Sequence, residues 1–137
     1  MLRMSKFFGS LIMLSFIISL PSFAQDLKSG IKLTEREEFD AAHKMFDGLI
    51  AKEPNNGDNY YYNGECWIKQ FLVDSMSVSL KEVTDAALKN FNMGMEKDSL
   101  DPLNYVGAGR VYVLLKKNAN AKVMFDKAKK QIGRAHV

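Results

Sequence analysis

The chain has 137 residues, 47% apolar and 26% charged, a balance that excludes a disordered or collagen-like polymer and suits one globular domain. Its formal charge of +3 belongs to the ends, because Arg3, Lys6 and Arg134 lie outside residues 25–131, where 16 Asp and Glu are matched by as many Lys and Arg. A neutral domain makes no case for nucleic acid or an anionic membrane as partner, and the single cysteine, Cys66, excludes an intramolecular disulfide.

The first 24 residues read as a leader. Arg3 and Lys6 form a basic start, Phe7 to Leu20 carry no charge, and Pro21 breaks the run. Ser22 and Ala24 then stand at the −3 and −1 positions of a small-x-small cleavage site, the pattern of a secretory signal peptide cut after Ala24. An apolar run of about 14 residues is short of the ~20 needed to span a bilayer. No cysteine stands at the cleavage point, so no lipid anchor is indicated. The expectation is a secreted or periplasmic protein with no membrane span after cleavage.

The remainder reads as helices. A first helix is expected over 25–36 and a second over 38–53, where Phe39, Ala42, Phe46, Leu49 and Ile50 recur at spacings of three and four. Thr34 and Glu37 have the spacing of a capping box, which would start the second helix early. Pro54 ends it, and Asn55, Asn56 and Gly57 turn the chain. A third helix over 57–73 carries Tyr60, Gly64 and Trp67 on one face. Asp74 to Ser77 connect it to a fourth over 80–97, which Ser79 and Glu82 open as a capping box. Asp101 before Pro102 supplies an N-cap and first-turn proline for a fifth helix over 102–116. A sixth is expected over 119–131.

These helices repeat a pattern. The first unit, Phe23 to Asn56, holds Gly30, Ala42, Phe46 and Pro54. The second, Gly57 to Asp101, holds Tyr60, Gly64 and Trp67, then Ala87, Phe91 and Gly94. The third begins at Pro102 with Tyr105, Gly109 and Tyr112, then Ala121, Phe125 and Ala128. The pattern resembles the tetratricopeptide repeat, of ~34 residues per unit. The second unit is longer by about 11 residues, placed between Phe71 and Val83. The resemblance implies an all-α fold, three helical hairpins stacked as a short right-handed solenoid over residues 25–131. Ile132 to Val137 look like the translation of a sequencing adapter, and those residues are set aside as a non-native tail. On that reading the last helix leaves Val123, Met124 and Phe125, with Ala128, incompletely covered.

Site chemistry is sparse. His43 reads as a packed or surface histidine, and Cys66 as a small buried apolar residue. Glu35, Glu37, Glu38 and Asp40 cluster near a helix start, where the dipole favours them. No phosphate loop, catalytic triad or metal constellation is evident, so neither catalysis nor a cofactor or metal is expected. Arg110, Lys116, Lys117, Lys122, Lys127, Lys129 and Lys130 make the last unit basic, read as a solvated helix face.

The resemblance further implies a protein or peptide partner held on the concave face lined by the first helices. Carried over residue by residue, it selects Asp58, Tyr61, Tyr62, Glu65 and Lys69 in the second unit. It selects Val106, Arg110 and Val113 in the third, and Leu27 and Ile31 in the first. The family's clamp for a C-terminal carboxylate needs Lys and Asn at places held here by Leu27 and Ile31, so that activity is not expected. The resulting expectation is a binding groove of Asp58, Tyr61, Tyr62, Glu65, Lys69 and Arg110 in an envelope scaffold or adaptor. The alternatives are the N-terminal repeat portion of a longer envelope enzyme or transport assembly, or a structural spacer.

Overall fold

The computed structural model describes residues 23–135, so the leader expected over 1–24 lies outside the described residues except for Phe23 and Ala24, as do the last two residues of the tail. Six helices follow one another: α1 (Phe23–Glu35), α2 (Phe39–Lys52), α3 (Gly57–Val73), α4 (Leu80–Lys97), α5 (Pro102–Leu114) and α6 (Asn118–Ala135). There is no strand among the described residues. The fold is all-α, as the repeat pattern implies.

The start signals behave as local chemistry dictates. Ser79 Oγ accepts the Glu82 N–H at 3.1 Å and Asp101 Oδ1 accepts the Leu103 N–H at 3.0 Å, so α4 and α5 begin where the sequence places them. Asn56 does the same for α3 through the Asp58 N–H. The capping box expected at Thr34 and Glu37 does not form. Thr34 Oγ1 instead donates back to the Gly30 carbonyl at 3.1 Å, and α1 runs on to Glu35. The Glu38 N–H reaches the Leu33 carbonyl and the Glu37 N–H the Thr34 carbonyl, with Glu37 at φ 65°. This is a Schellman turn with glutamate in the left-handed position. Lys116, at φ 57°, repeats it between α5 and α6, with Lys117 N–H on Tyr112 O and Lys116 N–H on Val113 O. α6 continues to Ala135, beyond its expected end.

Each hairpin closes on one ring. A Cβ added to Gly30 would lie 2.6 Å from the Phe46 ring, one at Gly64 2.5 Å from Phe91, and one at Gly109 2.5 Å from Phe125. The glycines are therefore contact surfaces, and their helix-propensity cost of ~1 kcal/mol is offset by rings worth ~1.5–3 kcal/mol each when fully buried. Phe46 and Phe91 are fully buried, whereas Phe125 keeps 38% of its surface exposed. Val123 is exposed too, but Ala128 is buried and Met124 packs on the core, so the uncovered face of α6 is narrower than expected.

Hairpin stacks on hairpin through α3 and α5. Along the row of first helices α1 touches α3 and α3 touches α5, while among the described residues α2, α4 and α6 make no contact with one another. The first helices therefore form one continuous row. Gly107 of α5 also meets Phe91, where an added Cβ would approach to 2.3 Å.

The long second unit spreads its extra residues. α3 has 17 residues against 13 in α1 and in α5, and α4 has 18 against 14 in α2. Each helix of the middle hairpin thus gains about one turn, and the connection between them is longer as well. Asp74 caps that connection by accepting from the Met76 and Ser77 N–H groups and from the Ser77 hydroxyl. The extension carries Leu72, Val73, Met76 and Leu80, all exposed.

Candidate protein-binding groove

The expected groove residues lie along α3, with Arg110 supplied by α5. Tyr61 and Tyr62 meet edge to face at 5.1 Å and 74°. They diverge to different cores. Tyr62 packs on the Ala42, Phe46, Leu49 and Cys66 cluster, and Tyr61 on the Phe91 cluster, 6.1 Å from that ring. Both are half-buried, each wedged against a different core. Burial first, then the Glu65 charge, raises the Tyr61 phenol, against the lowering effect of Arg110.

Glu65 and Arg110 are ion-paired, Arg110 Nη1 donating to Glu65 Oε2 across the α3–α5 junction. Glu65 Oε1 is buried without a hydrogen-bond partner. Burial raises the Glu65 carboxyl above the ordinary range, and Arg110 only partly opposes this.

Two adjoining crevices run beside this pair. One, of about 280 Å³, is lined by Thr34, Glu65, Ile68, Lys69, Leu72 and Arg110. The other, of about 210 Å³, is lined by Ile68, Leu72, Arg110, Val113 and Leu114. Ile68 and Leu72 are shared, and Leu72 is 63% exposed because it sits on the extra turn of α3. The structure thus brings Glu65, Lys69 and Arg110 to one trench, with Tyr61 and Tyr62 one turn away. It does not bring Asp58 there. Asp58 lies two turns back, roughly 10 Å along α3, and its charge acts on Asp101, whose carboxyl is raised mainly by burial. Ile68, Leu72 and Leu114 were not selected from sequence. The readable signal was the i, i+3, i+7 series Glu65, Ile68, Leu72 on one helix face.

A second repeated device also escaped the sequence reading. Tyr60 Oη donates to the Pro54 carbonyl at 2.8 Å, and Tyr105 Oη to the Ser99 carbonyl at 3.3 Å, each six residues back. The asparagine before each tyrosine holds the junction from inside. Asn59 Nδ2 reaches the Leu49 carbonyl at 3.4 Å, and Asn104 Nδ2 the Gly57 carbonyl at 3.0 Å. An Asn-Tyr pair four residues before each of Gly64 and Gly109 would have disclosed it.

On the opposite side, between α2 and α4, His43 lies on Trp67 with ring centroids 4.1 Å apart. Asn63 Nδ2 donates to Asp47 Oδ1 at 3.0 Å, which turns Asn63 Oδ1 toward His43 Nδ1 at 2.7 Å. The histidine is therefore a packed, hydrogen-bonded residue. Cys66 is fully buried, and burial raises its thiol. Among the described residues no three His, Cys, Asp or Glu side chains converge to hold a metal ion, and no helix is long and apolar enough to cross a membrane.

The crystal structure of the type III secretion translocator chaperone SycD from Yersinia enterocolitica is similar to this chain. Its TM-score is 0.69 at 17% identity, over 85% of this chain and 80% of that one. The fold is tetratricopeptide-like. At that identity the likeness shows the fold alone. A second solved structure, MamA MSR-1 C2, covers 83% of this chain and 79% of that one at 14% identity, but its TM-score of 0.36 carries no argument. No family model matches the chain, and no curated protein matches it.

Proposed function

We propose that this chain is a non-catalytic, peptide-binding scaffold of the cell envelope. In this reading it is exported by the leader over 1–24 and holds its partner in the α3–α5 trench. One observation carries the reading. The interior rings and glycines are committed to packing, yet the row of first helices keeps an apolar trench of Ile68, Leu72, Val113 and Leu114 edged by Lys69 and the Glu65–Arg110 pair. Such a lining takes an extended or helical peptide through apolar anchors, with charged edges that orient it. The extra turn of α3 raises one wall of the trench.

The test selects peptides from a random library against the mature chain and titrates the best binder against folded Leu72→Asp, Tyr61→Ala and Arg110→Ala variants. Weakened binding by Leu72→Asp and Arg110→Ala is expected. Unchanged affinity in both folded variants would remove the trench as the binding surface. Export is checked separately, by the mass and amino terminus of the envelope-fraction protein, which should begin at Gln25.

A further inference from the structure

Arg110 answers to two neighbourhoods at once. It lines both crevices of the trench, and it is drawn across the α3–α5 junction by Glu65, to which its Nη1 donates. The two partners are unequally exposed, the arginine side chain keeping 45% of its surface and the glutamate 21%. Glu65 commits one oxygen to Arg110. The other, Oε1, is sealed from solvent with no donor on it. An ionised carboxylate so placed loses hydration at both oxygens and regains a hydrogen bond at only one. Few titratable groups face it. Arg110 comes from α5 and Tyr61 from Glu65's own helix, α3. α1 reaches the crevice through the uncharged Thr34, and Lys69 stands one turn further along α3.

Taking the trench as the peptide site, on which this rests, we propose that Glu65 is a proton-operated latch on Arg110, and that its release tunes the trench to a peptide carrying an internal carboxylate side chain. With Glu65 ionised, the guanidinium is held by its neighbour and the pair is neutral as a unit. A proton on Glu65 cancels one charge and leaves Arg110 an uncompensated cation in the lining of both crevices, with Lys69 beside it. A guanidinium takes a carboxylate through two parallel N–H donors, while apolar residues of the same peptide sit against Ile68, Leu72, Val113 and Leu114. A basic peptide is disfavoured by the same change. Burial sets the direction, because it raises the Glu65 carboxyl. The neutral form is therefore gained as pH falls from neutrality, before an exposed glutamate of the peptide loses its own charge. The window of tight binding lies between those two titrations.

The test uses the mature chain and the best library binder, amidated at its C-terminus and made in pairs that carry glutamate or glutamine at each position in turn. At least one glutamate peptide should bind about threefold or more tightly at about pH 5 than at neutrality, and its glutamine twin should not change. Glu65→Gln keeps the shape and removes the titration. It should bind the glutamate peptide at neutrality as tightly as the wild type does in acid, with no response to pH. Arg110→Gln should abolish both the response and the preference for glutamate. In the free, isotopically labelled chain, the Glu65 carboxyl carbon and the Arg110 Nε resonance should titrate together. Twins that respond alike, a Glu65→Gln chain that keeps the wild-type response, or Glu65 and Arg110 resonances that titrate apart would each overturn the latch, and the trench would stand as a peptide site if Leu72→Asp still weakened binding. Affinity untouched by Leu72→Asp would instead remove the trench reading, and the latch with it.

Discussion

Adding one methyl group at Gly64 tests the packing logic of the whole array. The new Cβ would lie 2.5 and 2.6 Å from Cε1 and Cζ of Phe91. The ring has no retreat, because Gly107 presses on it from α5, with space there for no Cβ either. Overpacking of this kind costs ~1–3 kcal/mol, and a fully buried ring crowded by two helices belongs at the upper end. Alanine regains ~1 kcal/mol of helix propensity, so Gly64→Ala should lose about 2 kcal/mol net. At roughly 4–8 °C per kcal/mol this is a large fall in Tm. Two controls bracket it. Gly109→Ala meets Phe125 at the same 2.5 Å, but that ring is partly exposed and can swing outward, so its loss should be smaller. Gly48→Ala meets nothing within 4 Å on an exposed face of α2 and should gain ~1 kcal/mol. Urea denaturation of the three variants orders them as Gly48→Ala, Gly109→Ala, Gly64→Ala, from most to least stable. A Gly64→Ala chain as stable as the wild type, or no less stable than Gly109→Ala, would refute the reasoning.

Glycine at the two left-handed turn positions should stabilise the protein: Glu37→Gly and Lys116→Gly each remove a Cβ from a positive-φ site and should gain up to ~1 kcal/mol in the same assay. Asn104→Ala should cost ~1–3 kcal/mol, because the Gly57 carbonyl loses its buried donor, whereas Tyr105→Phe, on an exposed 3.3 Å bond, should cost less than Tyr60→Phe on its 2.8 Å bond. The Glu65 carboxyl is raised in the folded chain, so the folded state takes up this proton before the unfolded one does. Its contribution to stability therefore grows as pH falls from neutrality toward the ordinary value of 4.5. Glu65→Gln should remove that increment, so the Tm difference between variant and wild type should move in the variant's disfavour as pH falls over that range. A difference independent of pH would refute the assignment.

Sequence by itself determined the helices and their phase, because both rest on short-range chemistry. Ser79, Asp101 and Pro54 act within a turn of themselves, and each Gly and Phe pair of a hairpin recurs with its neighbours at set spacings. Even the length of the second unit and its distribution were legible, since the bounds expected for the third and fourth helices, 57–73 and 80–97, are the ones observed. Thr34 shows the limit of local pattern. Its hydroxyl had two backbone partners within reach, and α1 continued through it rather than stopping. The repeat phase puts Glu65, one residue after Gly64, and Arg110, one after Gly109, on the same side of the array; the tertiary structure decided that they meet. Glu65 and Arg110 are 45 residues apart, and their pairing depends on how closely α5 stacks on α3. Asp58 shares the helix with Glu65 but not the trench, while Leu72 enters it because one extra turn carries it past the edge of its neighbours. The order of the repeats already implied that Phe125 would be incompletely covered, and it keeps 38% of its surface exposed while Phe46 and Phe91 are sealed by the following hairpin. How much of α6 is covered was decided by stacking, which buries Ala128 and packs Met124 on the core, since burial is a property of neighbours and not of the residue.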